Sequence, residues 1–184
     1  MICIINFGSS KTEKIGMCLD AIGYSYEIIN WNKSEKTERS KFSGIILSGA
    51  PVLLTETDYK IYTEKFEFLR TGSIPVLGIC FGHQLLGLLF GASVFKGEEA
   101  RTETEISVIS KSILFEGSDK KIKMMEDHTE GITLPPSFIK IASSEKYEVE
   151  AMQHQTLNLF GVQFHPEVSG ENGLKLLHNF CRLI

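Results

Sequence analysis

Cysteine is sparse in this 184-residue chain: Cys3, Cys18, Cys80 and Cys181 are scattered, without the close pairs of a zinc site or a disulfide framework. Such usage suits a reducing compartment, and a cytoplasmic location is expected. No stretch reaches the ~18 to 20 apolar residues that a membrane helix needs, so no membrane association is expected. Positive charge is in the minority, with 19 Lys+Arg against 23 Asp+Glu and a net charge of -4. It is nowhere concentrated enough to track a phosphate backbone, which argues against nucleic acid as a ligand. The opening run Met1-Ile-Cys-Ile-Ile-Asn-Phe-Gly8 has no basic residue before its apolar part and reads as a first strand, not a secretory signal. No Gly-x-x-x-x-Gly-Lys-Ser/Thr loop offers a phosphate cradle. No three His, Cys, Asp or Glu residues show metal-ligand spacing, so no metal is expected. Repeats, low-complexity tracts and linkers are lacking too, which predicts a single domain over residues 1–184.

What is present is a globular composition, 42% hydrophobic and 23% charged. A chain of this length buries roughly 70% of its unfolded surface, enough for a core without staples. Apolar runs at Ile2 to Asn6, Tyr26 to Asn30, Gly44 to Gly49 and Ile74 to Ile79 predict buried strands. Helical spacing at Ile15, Leu19 and Ile22, from Asp58 to Leu69 and from His83 to Phe90 predicts helices between and after them. Asn32 to Lys41 reads as a solvated loop. Strands alternating with helices imply an α/β fold, an open and mainly parallel sheet covered on both faces. Beyond Thr104 the rhythm becomes β-rich, with short strands predicted at Glu105 to Ser110, Lys121 to Met125, Phe138 to Ala142, Val149 to Gln153 and Leu159 to Phe164. This is an added antiparallel section, followed by a last helix from Asn172 to Phe180.

Chemistry concentrates at Gly78-Ile-Cys80-Phe-Gly82-His-Gln84. A buried strand runs into a helix with a cysteine at the corner and glycine two residues to either side, the layout of a nucleophile elbow. Such a turn exposes the side chain, the missing Cβ atoms admit close neighbours, and the helix N-terminus favours thiolate. The N–H of Phe81 can hold an oxyanion. A thiol nucleophile needs a base, and the base an orienting group. Gly161-Val-Gln-Phe-His165-Pro166-Glu167 supplies both, with His165 and Glu167 two apart and so expected on one face of an extended segment.

On these two motifs, and on Ile-Ile-Leu-Ser-Gly49-Ala50-Pro51, the chain resembles the class I glutamine amidotransferases over essentially its whole length. The resemblance implies a flavodoxin-like fold with added β-structure. It makes Cys80 the nucleophile, His165 the general base and acid, Glu167 the orienting carboxylate and Gln84 a contact to bound L-glutamine. Phe81 and the Gly49-Ala50 turn would supply oxyanion donors. The main chain around Asp127 and His128 would help to hold the glutamine α-carboxylate. Within the family, Val149-Glu-Ala-Met152, Phe160 through Val168 and Asn179-Phe180-Cys181 are most similar to stand-alone glutaminase subunits of two-subunit GMP synthetases. That implies no cofactor in this chain and a partner, a separate ATP-pyrophosphatase synthetase subunit, that uses ATP and magnesium to aminate xanthosine monophosphate. Three other readings stay open: a subunit for another acceptor (anthranilate, aminodeoxychorismate or carbamoyl phosphate type), a freestanding γ-glutamyl hydrolase, and a regulatory domain that no longer binds glutamine.

Three positions depart from the family pattern. Ala50 stands where relatives carry glycine, and a positive φ there would cost of order 1 kcal/mol or more. Asp127 replaces a serine and brings negative charge toward a carboxylate unless its side chain turns away. Asn6-Phe-Gly-Ser-Ser10 lacks the Gln-Tyr or Gln-Trp frequent in GMP-type relatives. Of the other histidines, His83 is expected to be structural or pocket-lining, and His154 and His178 exposed. His128 is open between loop surface and partner contact. Arg101, Glu103 and Glu105 are expected to face solvent.

Overall fold

The apolar runs near the N-terminus become the centre of a sheet because successive residues of a strand face opposite sides, and here both sides are covered. The computed structural model describes residues 1–36, 39–72 and 74–184. In chain order its first half contains β1 (Ile2–Asn6), α1 (Thr12–Ala21), β2 (Tyr26–Asn30), β3 (Gly44–Leu47), α2 (Lys60–Lys65), β4 (Val76–Ile79) and α3 (Phe81–Leu89). The second half contains β5 (Val94–Ala100), β6 (Glu103–Val108), β7 (Lys121–Met125), β8 (His128–Ile132), β9 (Phe138–Ser143), β10 (Ala151–His154), β11 (Leu159–Val162) and α4 (Gly170–Cys181).

Nine strands form one sheet in the order β2-β1-β3-β4-β11-β10-β9-β6-β7. From β2 to β11 neighbours are parallel, an order that matches the flavodoxin-like arrangement. The remaining strands pair antiparallel, as the expected added section requires. On one face, Ile2 and Ile4 of β1 and Ile46 of β3 pack with Ile15 and Leu19 of α1 and Leu177 and Phe180 of α4. On the other, Cys3, Ile5 and Leu47 pack with Tyr62 of α2, Phe66, and Leu85 and Leu89 of α3. Each such large apolar side chain contributes about 1.5–3 kcal/mol by leaving water.

Details differ from the sequence expectations for local reasons. The helix expected from Asp58 to Leu69 divides into α2 and a 3-10 turn, Glu67–Thr71, and its start at Tyr59 has no side-chain cap. The expected loop from Asn32 to Lys41 is largely two 3-10 turns, Trp31–Lys36 and Arg39–Lys41; Thr37 and Glu38 lie outside the described residues. Strands β5 and β8 were not expected. They pair antiparallel as a separate ribbon, and the mostly exposed Val-Phe-Lys-Gly-Glu-Glu-Ala of β5 lacks the alternation that marks a half-buried strand. Ion pairs Glu103–Lys123 (3.3 Å) and Glu105–Lys121 (2.6 Å) cross from β6 to β7, with all four side chains largely in solvent, as expected for Glu103 and Glu105.

One glycine ties the fold to the site. α4 lies so close to the turn Pro166–Val168 that a Cβ at Gly173 would meet the Pro166 carbonyl oxygen at 1.9 Å. Gly173→Ala is therefore expected to lower stability by about 1–3 kcal/mol, the usual range for overpacking, measured by urea denaturation. An unchanged midpoint would contradict this contact.

Candidate active site

The β4–α3 corner is built around an uncommon backbone conformation. Cys80 has φ 52° and ψ −106°, and among the described residues it is the non-glycine with positive φ. Such a conformation costs of order 1–3 kcal/mol and persists only where its surroundings impose it. The impositions are visible. Cys80 N–H donates to the Val162 carbonyl at 2.8 Å, and Gln84 N–H donates to the Cys80 carbonyl at 3.0 Å. A Cβ at Gly78 would meet the Gly82 carbonyl oxygen at 2.4 Å, and one at Gly82 the Leu47 carbonyl oxygen at 2.4 Å. Both glycines of the motif are thus required by backbone contact. Beneath the corner, Phe81 is wedged against Phe7 and Tyr62, with ring centroids 5.0 and 5.1 Å away. As the first residue of α3, Phe81 offers an N–H with no acceptor inside the helix.

His165 arrives from the end of β11. Gln163 N–H donates to the Glu150 carbonyl at 2.7 Å and His165 N–H to the Met125 carbonyl at 2.8 Å. Ser169 Oγ accepts from Met125 N–H at 2.9 Å and donates to the His165 carbonyl at 2.6 Å. Glu167 meets His165, but not by strand alternation as expected: Pro166 opens a 3-10 turn, Pro166–Val168, that folds the carboxylate back. Glu167 Oε1 lies 2.8 Å from His165 Nδ1, both groups buried, which leaves Nε2 for chemistry. Burial alone would lower the basicity of His165. Hydrogen bonding to Cys80 and to Glu167, together with their charges, outweighs it and raises the imidazole to about 10. The structure thus brings together Cys80, His165 and Glu167, from parts of the chain 85 and more residues apart.

Cys80 opens into a cleft of about 550 Å³ that Ala50, Phe81, Gln84, Asp127 and His128 also line. Gly49 lies beside His165, where an added Cβ would stand 3.2 Å from the imidazole Cε1. Ala50 does not have a positive φ, so the strain considered for an alanine there does not arise. Asp127 does turn to partners: Lys11 hydrogen-bonds to it and holds its carboxyl below the usual range, with Arg101 Nη1 3.6 Å away. Gln84 is buried at the cleft wall, and its Nε2 donates to the Glu130 carbonyl (3.0 Å) and Gln163 Oε1 (3.1 Å).

Several expectations need correction. His128 is not at the surface; it is buried, with Nε2 2.7 Å from Glu126 Oε2 and Nδ1 2.9 Å from the Glu130 carbonyl oxygen. His154 is buried as well, because it caps a turn: its Nδ1 accepts from Thr156 N–H (3.1 Å) and Leu157 N–H (3.0 Å) while Phe90 and Phe138 pack on its ring. His178 is exposed, as expected, and His83 is fully buried, which fits the structural one of its two expected readings. Metal-ligand spacing is absent from the linear sequence, yet Glu126, His128 and Glu150 converge with one ligand-type atom each within 4.8 Å of the others. The other three cysteines are free thiols; burial pushes Cys3 and Cys181 up to about 12 and raises Cys18.

Glu130 escaped the sequence reading. Its carboxylate accepts from Leu54 N–H and Thr55 N–H, both at 2.8 Å, and so pins the loop that follows the Ala50 turn onto the cleft wall. Nothing local to a Thr-Glu-Gly stretch marks that role, because its partners lie 76 and 75 residues away in the chain.

A parallel sheet of this order with a cysteine elbow facing a His–Glu pair defines a class, and the sequence match agrees. The model of the family "Glutamine amidotransferase class-I" matches residues 3–184, and the chain belongs to that family. It is similar to a GMP synthase (glutamine-hydrolyzing) subunit of Pyrococcus furiosus, at 36% identity covering 100% of this chain and 98% of the relative. It also aligns, at 34% identity over 100% of its length, with 36% of a longer GMP synthase (glutamine-hydrolyzing) of Thermosipho melanesiensis. Among solved structures, a Thermoplasma acidophilum protein described as a subunit of GMP synthase superposes with a TM-score of 0.90 at 28% identity, covering 99% of this chain and 92% of the other.

Two measurements check the site. Since the His165 imidazole is raised to about 10 from an ordinary 6.5, the folded state binds this proton more tightly than the unfolded chain. Its contribution to stability is complete below about pH 6.5 and is lost as pH rises through about 10. Cys80→Ala removes one source of the rise, so the His165 resonance in proton NMR is expected to titrate at lower pH; an unmoved titration would count against the Cys80–His165 contact. Ala50→Gly, at a position without positive φ, is expected to destabilise by about 0.4–1 kcal/mol in thermal denaturation, through the freer unfolded chain. A gain in stability would mean that Ala50 is strained.

Proposed function

We propose that this chain is the glutaminase subunit of a two-subunit GMP synthetase, hydrolysing L-glutamine to glutamate and ammonia for a separate ATP-pyrophosphatase subunit that aminates xanthosine monophosphate. The observation that carries the chemistry is the strained Cys80 corner, with the sulfur in a cleft and in contact with an imidazole whose far nitrogen is held by Glu167.

In this reading Cys80 attacks as thiolate on the side-chain carboxamide carbon of glutamine. The oxyanion is held by Phe81 N–H and an N–H of the Gly49-Ala50 turn. His165, protonated and oriented through Nδ1 by Glu167, gives its proton to the departing ammonia. It then takes a proton from the water that cleaves the γ-glutamyl thioester, and glutamate leaves with the sulfur free again. Gln84 shapes the cleft wall, and the Asp127–His128 main chain contacts the α-carboxylate. Because Lys11 and Arg101 engage Asp127, its charge is neutralised where the substrate carboxylate would approach. None of these steps uses a metal or an organic cofactor.

The GMP assignment is supported by the names and lengths of the relatives. Those matched along nearly their whole length are named as single subunits of the synthase, while the chain covers about a third of a longer protein called simply GMP synthase. Ammonia delivered to a partner explains why a chain without a phosphate cradle belongs to an ATP-dependent synthesis.

Ammonia release from glutamine is expected from the wild type and to rise when a GMP synthetase ATP-pyrophosphatase subunit is added. Cys80→Ala is expected to lose at least about 10³-fold, as removal of a triad nucleophile does. Retention of the wild-type rate by Cys80→Ala would overturn the mechanism. Full turnover that the partner leaves unchanged would point instead to a freestanding hydrolase.

A further inference from the structure

Behind the histidine assigned as base lies a second set of titratable groups that the mechanism leaves idle. Glu126, His128 and Glu150 are buried, the two carboxyls at 1% and 0% exposure. Their contacts fix where hydrogens sit. His128 Nδ1 faces the Glu130 carbonyl oxygen at 2.9 Å, a pure acceptor, so Nδ1 carries a hydrogen. Nε2 of the same ring lies 2.7 Å from Glu126 Oε2, and that contact needs a hydrogen of its own, from either side. The carboxyls of Glu126 and Glu150 converge, with an oxygen of each within 4.8 Å of the other, and Glu126 Oε1 and Glu150 Oε2 are buried without a hydrogen-bond partner. Two bare carboxylates this close and away from water repel, and a hydrogen shared between the two carboxyls relieves that repulsion. Ser144 Oγ already donates to Glu150 Oε1 at 2.6 Å. The two hydrogens offset the two carboxylate charges, so the cluster becomes electrically neutral.

The backbone of the same segments holds the histidine. Glu150 provides the carbonyl for Gln163 N–H; Met125, next to Glu126, provides the carbonyl for His165 N–H and binds Ser169. The strip from Gln163 to Ser169, bearing His165 and Glu167, is therefore suspended between two holders whose side chains touch.

We propose that Glu126, His128 and Glu150 hold two protons among them, one in each contact, and that this neutral cluster clamps together the two backbone holders of His165, making Glu126 and Glu150 positioning residues for the base. This rests on the reading of His165 as that base. Burial raises both carboxyls above the ordinary range, with the Glu126 charge adding at Glu150, and burial lowers His128. The titratable and polar groups that face the cluster are His83, His165, Ser144 and Tyr147, together with Asp127, Glu130 and Glu98. Loss of one proton on the alkaline side leaves an uncompensated buried negative charge and loosens the clamp. A divalent cation would supply the same charge, but the 2.7 Å contact is hydrogen-bond length, shorter than the roughly 3.3 Å between two ligands held at about 2.0–2.1 Å by one tetrahedral ion.

The test uses the full chain as wild type, Glu126→Gln and Glu126→Ala. In wild type the infrared carbonyl band of a protonated carboxyl is expected at neutral pH, weakened in Glu126→Gln, and the His165 imidazole resonance is expected to move at the pH where the band disappears. With glutamine, wild-type kcat is expected to fall on the alkaline side by up to about tenfold per pH unit, as for loss of one essential proton. Glu126→Gln, which leaves Glu150 as the one ionisable carboxyl of the cluster, is expected to move that limb to a different pH. Glu126→Ala is expected to lose kcat about tenfold or more at neutral pH with KM within about twofold, because removing a clamp misplaces the base without touching substrate. The proposal is overturned if the protonated-carboxyl band is absent, if Glu126→Gln keeps the wild-type alkaline limb, or if elemental analysis finds a stoichiometric divalent metal. Failure of the glutaminase reading looks different: no ammonia from wild type while the band and the coupled His165 shift are present, which supports the clamp.

Discussion

Everything at this site depends on one residue being held where an L-amino acid is rarely found. The positive φ of Cys80 turns the chain from β4 into α3 within one residue, lifting the sulfur out of the sheet and into the cleft. The strain is sustained from three directions: a hydrogen bond from Cys80 to β11, the close approach of the Gly82 carbonyl to Gly78, and that of the Leu47 carbonyl to Gly82. β3, β4 and β11 are adjacent in the sheet, so the parallel core serves as the vice that holds the elbow. Core packing and chemistry are therefore the same problem here, since loosening the contact between β3 and α3 would release the torsion.

The charge arrangement follows from that geometry. An imidazole buried beside a sulfur and a carboxylate keeps its proton because its partners outweigh the loss of water. The fold contains a graded series of buried titratable groups around that point. His83, pushed down to about 3 by burial, stays neutral; His165, held by hydrogen bonds to Cys80 and Glu167, is raised to about 10 and stays charged. Burial is common to both, and the neighbours decide.

How much of this could be read from the chain depended on the distance over which each feature is encoded. The elbow was legible because its constraints are local: glycines at 78 and 82 and a cysteine at 80 between an apolar run and a helix. The parallel half of the sheet was legible for the same reason. The His165–Glu167 pair was found, but the backbone that unites it was misjudged, because Pro166 starts a turn where an extended segment was expected. The ribbon of β5 and β8, the pinning of Leu54 and Thr55 by Glu130, and the convergence of Glu126 with Glu150 were invisible, since each joins segments with no shared pattern. Ala50 and Asp127 looked costly in one dimension and are accommodated in three, by a backbone without positive φ and by Lys11 and Arg101.

The paired charges that cross from β6 to β7 have a consequence outside the site. β7 ends the nine-stranded sheet, and a terminal strand can be extended by another molecule's strand wherever its outer backbone groups are free; here Met125 N–H and C=O are taken by Ser169 and His165, and the Lys123 carbonyl accepts from Asn172. Lys121 and Lys123 lie on that strand in solvent, each beside a glutamate of β6. A second copy docking there would have to bring lysine toward lysine and strip their hydration. The ladder thus adds hydrated charge to a sheet edge that Ser169, His165 and Asn172 already cover in part.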